Sequence, residues 1–275
     1  STNHTTGFSD TISPMELLTS TSNPFIKHVR ALRQKKARVE FNSFLVEGIT
    51  HVGAVLEAGW DVDSILYAPE LLTSGFAKDL LARAERLKLK LQPVSVSVIE
   101  SLADKENPQG ILAVVKQKKF TLDTLPKTTH AVALVSPQDP GNLGTILRTM
   151  DAVGADTLFV LDGGVELYHP TVIRASMGTF FWKPVIQATF DEFLSWARAG
   201  SYQLIGTSAK ADVDYHTLIP QSPWVLVLGN EQKGLSPEQT AACDVTISLP
   251  MRGRVSSLNL SVAAGVLLYE FLGKS

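Results

Sequence analysis

Three stretches of this 275-residue sequence are rich in small and polar residues, and each directly follows a run that reads as a strand: SPQDPGNLGTILRT (136–149), LGNEQKGLS (228–236) and LPMRGRVSSLN (249–259). In open parallel sheets, ligands bind beyond the C-terminal ends of strands, where loops meet helix N-termini. Gly141 and Gly144 would let a ligand or a second backbone approach, Asn142 lies between them, and Arg148 sits one helical turn past Gly144 on the same side. The groups on offer include backbone amides, hydroxyls, side-chain amides, the guanidinium of Arg148 and the carboxylate of Glu231. Such a set grips and orients a ligand. The sequence has no GxGxxG, no Walker A motif, no HExxH and no GxSxG. The six histidines show no metal-ligand spacing and Cys243 is the single cysteine, so no metal site and no disulfide framework is expected.

The elements that must position these loops alternate. In the first part, a basic helix entered through Asn23-Pro24 is followed by a strand at 44–48, a helix at 51–58 and a strand at 64–68. A helix at 76–87, a strand at PVSVSV (93–98), a turn at 107–110 and a strand at 111–115 complete it. The second part alternates more strongly, with strands at 131–135, 157–161, near Val185, 202–206, 224–229 and 245–249. Helices are expected at 143–153, 172–177 and 258–271. Continuous apolar strands of this kind are buried on both faces, as in a parallel sheet. The fold class is therefore α/β: a parallel-sheet domain at 130–275 and a smaller α/β domain at 14–118, joined by a Pro-containing linker at 119–129 and preceded by a polar, flexible or trimmed tail at 1–13.

Apolar residues make up 44% of the chain and charged ones 19%, enough to bury a core, and no stretch approaches a membrane span. The lone cysteine and the absence of signal-peptide character suit a reducing, cytoplasmic setting. The net charge of −2 argues against a uniformly basic surface, but it hides an asymmetry. Residues 1–118 hold 14 Lys and Arg against 13 Asp and Glu (+1), and the remainder holds 11 against 14 (−3). Lys27, Arg30, Arg33, Lys35, Lys36 and Arg38 form a run with no acidic residue among them. On one helix they would make either a solvated face or a phosphate-contacting stripe, and charge does not choose between the two.

Taken together, the three loops resemble the SpoU/TrmH-type ribose methyltransferases of the SPOUT superfamily. Asn142, Gly144 and Arg148 match the family's Asn-x-Gly-x-x-x-Arg. Gly229, Asn230, Glu231, Gly234, Leu235 and Ser236 match its second motif, and Pro250, Met251, Gly253, Ser257, Leu258 and Asn259 its third. RASMG (174–178) resembles the family's stretch at that place. FLVEG and NPQGILAVV resemble the ribosomal-protein-like substrate-binding domain often fused to it, so the likeness runs from about Ser22 to Leu272. One departure stands out: Gln232 follows Glu231 where the family usually has glycine.

The resemblance implies a parallel sheet with a deep C-terminal trefoil knot, a homodimer paired beside the knot, and S-adenosyl-L-methionine as cofactor. It implies methyl transfer to a ribose 2′-hydroxyl of RNA, with ribosomal RNA as the best-fitting substrate and a tRNA methyltransferase or a non-catalytic RNA-binding assembly factor as alternatives. Cofactor contacts would come from Thr207, Ser208, Gly229, Asn230, Leu249, Pro250, Met251 and Leu258. The catalytic set would be Arg148, Asn142, Glu231, Ser257 and Asn259, and RNA would meet Lys27, Arg30, Lys35, Lys36 and Arg38. Arg148 is the family's candidate base, but a guanidinium holds its proton, so fixing a phosphate and stabilising a developing oxyanion suits it better. Plain structural roles compete: Asn142 or Ser257 as helix caps, Glu231 as a surface partner of Lys233, and Arg148 as a solvated helix residue.

Overall fold

The computed structural model describes residues 16–104 and 108–273. The expected tail at 1–13 and Asn107 of the expected turn lie outside the described residues. The N-terminal half contains α1 (Pro24–Ala31), α2 (Lys35–Phe41), β1 (Ser43–Glu47), α3 (Ile49–Glu57) and β2 (Val62–Tyr67), then α4 (Gly75–Arg86), β3 (Leu91–Pro93), α5 (Val96–Leu102) and β4 (Ile111–Lys116). Its sheet has the order β1-β4-β2-β3, with β4 antiparallel to both neighbours and β2 parallel to β3.

The C-terminal half runs β5 (His130–Val135), α6 (Pro140–Val153), β6 (Thr157–Leu161), α7 (Pro170–Ala175), β7 (Val185–Ala188), α8 (Phe190–Ala199) and β8 (Gln203–Thr207). It continues with β9 (Val213–Asp214), β10 (Trp224–Leu228), α9 (Pro237–Ala242), β11 (Val245–Ser248) and α10 (Leu260–Leu272). Its seven strands lie in the order β7-β6-β5-β10-β8-β11-β9, every pair parallel. β5, β6 and β10 are buried almost along their whole length, as their unbroken apolar runs require. The order places β10 between β5 and β8, so the loops after β5 and β10 emerge side by side.

Three local expectations change. The basic segment is two helices, not one. Asn23 caps α1, accepting from the Phe25 amide at 2.8 Å, but the helix stops after Ala31. There the Arg38 guanidinium folds back and donates to the carbonyls of Leu32 (2.9 Å) and Arg33 (2.7 Å), satisfying groups that a continuing helix would have used. PVSVSV is not a strand beyond Pro93. Ser95 caps α5 through the Val98 amide, and Val98, Ile99 and Leu102 form its buried face, a helical spacing that overrides the alternation. The helix after β5 begins at Pro140, three residues early, with Asp139 as its cap.

The halves are joined by more than chain. Phe44 and Trp60 pack with Tyr168, Phe180 and Phe181 in one aromatic cluster, and the Trp60 indole donates to the Phe181 carbonyl at 2.7 Å. Tyr168 reaches back to the Lys118 carbonyl, and burial raises its phenol to about 12. Segment 119–129 is pinned as well: Phe120, Leu122 and Leu125 pack on the outer core of the larger sheet. Among the described residues, no helix is long and apolar enough to cross a membrane.

Candidate active site

Each of the three loops is shaped by its own sequence before it meets the others. After β5, Asp139 accepts from the Asn142 amide at 2.8 Å, and Pro140 occupies the first helical position, where its missing N–H costs nothing. After β10, the Asn230 side chain accepts from the amides of Gln232 (3.0 Å) and Lys233 (3.1 Å) and closes a tight turn onto Gly234. The left-handed residue of that turn is Gly234 (φ +68°), not Gln232, so the departure from the family pattern falls at a position that tolerates a side chain. Before α10, Asn259 is the cap, accepting from the amides of Ser261 and Val262.

The loops then bond to one another. The Glu231 carboxylate accepts from the backbone amides of Gln138 (3.1 and 3.0 Å) and Asp139 (3.2 Å), and from Asn142 Nδ2 at 3.4 Å. Asn142, itself buried, accepts from Asn259 Nδ2 at 2.9 Å. Asn230 Nδ2 donates to the Ser136 carbonyl at 2.9 Å. Glu231, Asn142 and Asn259 thus form one relay that ties together the ends of β5 and β10 and the start of α10. Gly229 makes this possible, because a Cβ there would lie 2.2–2.3 Å from the Gly234 carbonyl carbon and the Leu235 nitrogen.

A cleft of about 520 Å³ opens beside the relay. Of the expected cofactor contacts, Thr207, Ser208, Gly229, Asn230, Leu249, Met251 and Leu258 line it; Pro250 does not, and is exposed. Glu231 and Ser257 also line it, while the buried Ile247, Leu260 and Leu267 supply apolar walls. Backbone edges above an apolar surface suit a purine, so the residues present fit an adenosyl group. Ser257 is exposed and does not cap α10, which removes its competing structural role. Arg148 is exposed on α6 and makes no hydrogen bond or ion pair with the described residues.

In the first loop, Gly144 serves packing instead of ligand approach. A Cβ there would meet Ala175 Cβ at 2.6 Å and the Val172 carbonyl at 2.7 Å, so this glycine lets α6 lie directly on α7. Among the basic residues, Lys27, Lys35 and Lys36 are exposed. Arg30 is partly engaged, donating to Ser101 Oγ at 2.8 Å and the Thr21 carbonyl at 3.1 Å. Arg38 has to be withdrawn from the phosphate-contacting set. It is 3% exposed, and its Nε and Nη2 both grip Glu166 at 2.6 Å. The residues missed in the sequence are Gln138 and Asp139, whose amides hold Glu231; the Asp139-Pro140 pair was the available signal.

Residues 129–269 match the SpoU rRNA Methylase family, and residues 23–113 match the MRM3-like substrate binding domain. The chain belongs to the SpoU rRNA methylase family. It is 31% identical over 262 residues to a 23S rRNA (uridine(2479)-2'-O)-methyltransferase of Streptomyces viridochromogenes, covering 92% of this chain and 90% of that one. It is 28% identical to the Bacillus subtilis 23S rRNA (guanosine(2553)-2'-O)-methyltransferase RlmP, covering 94% and 100%. Among solved structures, the AdoMet-bound rRNA methyltransferase from Sinorhizobium meliloti superposes with a TM-score of 0.84 at 34% identity, over 93% of this chain and 97% of that one. The AdoMet complex of the SpoU methyltransferase AviRb from Streptomyces viridochromogenes gives 0.81 at 31%, over 92% and 98%. The C-terminal half therefore has the parallel-sheet fold of SpoU methyltransferases.

Proposed function

We propose that this SpoU-family chain is an S-adenosylmethionine-dependent RNA 2′-O-ribose methyltransferase acting on ribosomal RNA in the cytoplasm. The observation that carries this reading is the relay Glu231–Asn142–Asn259, which binds three separate loops into one rim beside a strand-end cleft. When bound in that cleft, S-adenosylmethionine supplies an already activated methyl group. The task left to the protein is alignment, which can contribute roughly 7–11 kcal/mol when the reacting atoms are held in line.

Glu231, Asn142 and Asn259 act as positioning residues, since each commits a polar side-chain atom to another loop. Ser257 lines the cleft with an uncommitted hydroxyl and faces the ribose. Arg148 is the uncommitted cation on α6; it fixes a backbone phosphate and stabilises negative charge building on the 2′-oxygen. Lys27, Lys35 and Lys36, with Arg30 in support, meet RNA phosphates further away. In this reading residues 14–118 bind RNA and 130–275 carry catalysis, with 119–129 between them.

The C-terminus passes through a trefoil knot. The insertion of β10 between β5 and β8, and the return of α10 onto α6 through Asn259, support that path. The enzyme works as a homodimer. Val262, Val266 and Tyr269 leave an exposed apolar stripe on α10, with Ser261 and Gly265 allowing close approach. The test is methyl incorporation from labelled cofactor into 23S rRNA transcripts, followed by mapping of the modified ribose. Arg148→Ala should abolish incorporation while cofactor binding persists, and full turnover in that variant would remove Arg148 from the mechanism.

A further inference from the structure

A second cleft, of about 440 Å³, lies between α3 and α4 of the N-terminal half and the segment around Met177 and Trp182. It is separate from the strand-end cleft, and nothing in the relay uses it. Its floor is small. Gly53 and Ala54 line it; a Cβ added to Gly53 would lie 3.9 Å from the Phe76 ring, and one added to Gly178, outside the lining, would lie 3.0 Å from Ala54 Cβ and 3.2 Å from the Trp182 ring. Two aromatic side chains stand on either side in solvent, Phe76 at 62% exposure and Trp182 at 48%, with Met177 half exposed beside them. Arg83 and Arg86 lie along the edge, together with Glu57 and Asp79.

An exposed aromatic is unremarkable when it hangs loose, but Trp182 is fixed. Its indole N–H donates to Asp151 Oδ1 at 3.1 Å, and that oxygen is paired with Lys183 Nζ at 3.4 Å. Met177 holds a left-handed backbone (φ +52°) that a methionine seldom adopts. The other three tryptophans are buried or half-buried: Trp60 and Trp224 in the core, and Trp196 stacked on Tyr202. Asp151, which holds the ring, stands three residues past Arg148 on α6, and residues so spaced are neighbours on a helix surface. A rigid aromatic surface therefore begins next to the cation assigned to the RNA backbone.

We infer that this cleft is a stacking subsite for one unpaired nucleobase of the RNA substrate, with Trp182 as its platform and Arg83 and Arg86 as contacts to the adjoining phosphates. The inference rests on the proposed function only in taking RNA as the substrate. A shallow slot floored by glycine and alanine and walled by rings matches a planar π-system. The guanidiniums match phosphate, and the carboxylates of Glu57 and Asp79 can accept from exocyclic amino groups. Arg83 already donates to the Leu56 carbonyl at 3.3 Å, but a purely apolar partner would leave Arg86, Glu57 and Asp79 unused.

The full-length protein is titrated with single-stranded poly(A) and with a 23S rRNA transcript, following tryptophan fluorescence and RNA affinity. Because Trp182 is the most exposed of the four indoles, RNA should quench the emission, and Trp182→Ala should remove that response. Trp182→Ala and Phe76→Ala should each weaken RNA binding about tenfold, with Trp182→Phe restoring most of it, as expected for loss of one stacked base. Unchanged affinity in a Trp182→Ala protein that melts and binds cofactor normally would overturn the inference. So would quenching that rises with protein concentration in the absence of RNA, because the cleft would then be covered by a second copy. Wild-type protein that stacks RNA through Trp182 but transfers no methyl to any rRNA would instead refute the proposed activity and leave the subsite standing. Normal methylation and RNA affinity in Trp182→Ala would do the reverse.

Discussion

Asn259 donates through Nδ2 to Asn142 Oδ1 at 2.9 Å, joining the cap of the last helix to the third position of α6 across 117 residues of chain. The two ends of the Asn259 amide have separate duties, since Oδ1 caps α10 and Nδ2 holds Asn142. Asn259→Asp should keep the cap and lose the link, whereas Asn259→Ala loses both. The cap is worth ~1 kcal/mol of stability, so Asn259→Ala should melt lower than Asn259→Asp. Both should lose methyl transfer by about tenfold or more, through a misplaced rim left with an unsatisfied buried amide. Thermal melts and single-turnover rates on the two variants separate the duties. Equal turnover in wild type and Asn259→Asp would show that the link does not position the site.

Glu231 accepts from two backbone amides and one side-chain amide, so its carboxylate works as a clamp between the β5 and β10 loops. Glu231→Gln can keep an acceptor oxygen at the Oε1 position, toward Asp139 and Asn142, but replaces Oε2 with a donor facing the Gln138 amide. The expected outcome is a loss of ~1–3 kcal/mol in stability together with weaker cofactor binding, because the same loop lines the cleft. Calorimetric titration with S-adenosylmethionine reads the second effect directly.

Arg38 and the lysines around it should part company. Arg38→Ala leaves the largely buried Glu166 without its partner, which costs ~3–5 kcal/mol and should lower the melting temperature by roughly 5–15 °C. Its effect on the salt dependence of RNA binding should be nil. Replacing Lys27, Lys35 and Lys36 by glutamine should spare the melting temperature and flatten the salt slope by about 0.7–0.9 for every phosphate no longer neutralised. An unchanged slope in the triple variant would make that surface a merely solvated one.

What could be read ahead of the structure follows the reach of each interaction. The strands β5, β6 and β10 were legible because burial on both faces leaves a plain apolar run, and two of the three site loops because they follow such runs; the third follows β11, whose VTIS alternates and is only partly buried. The bond from Glu231 to the Gln138 amide was not legible, since it depends on β10 lying beside β5, which is a property of sheet order. Arg38 read as one more cation of a basic helix because its partner, Glu166, lies 128 residues away. PVSVSV misled for a different reason: alternation is a weak signal over six residues, and Ser95 as a cap outweighed it. The same oversight hid α8 and α9, both entered through capping boxes, Thr189 with Glu192 and Ser236 with Gln239.

Gly144→Ala offers a test of packing by sign. In an open helix the change would stabilise by ~1 kcal/mol through better helix propensity. Here the added methyl meets Ala175 Cβ and the Val172 carbonyl at 2.6–2.7 Å, one of them backbone and so unable to move cheaply. Overpacking of this kind costs ~1–3 kcal/mol, so a net loss of stability is expected, with α6 and the relay residue Asn142 displaced from α7. A melting temperature at or above wild type would mean that the two helices have slack between them.

Asp104 links the halves electrostatically, receiving Arg174 from α7 and, at 3.0 Å, Arg33 from the turn after α1. Its hydrogen bond from Arg174, reinforced by Arg33 and opposed by partial burial, holds the carboxyl below the ordinary carboxylate range. A group whose folded-state value is depressed contributes stability above its unfolded value of ~3.9, and that contribution fades as the pH falls through the lower folded value. Acid should therefore loosen the contact between the halves below about pH 4, ahead of the parallel sheet, which relies on apolar strands. Asp104→Asn should flatten that part of the pH–stability profile and leave the neutral-pH melt within about a degree or two, because the pair is 40% exposed on the Asp104 side and solvent screens it. Hydrogen exchange at acidic pH, compared between α7 and β5, reads the order of loosening, and simultaneous loss of protection in both would place the acid-sensitive contact elsewhere.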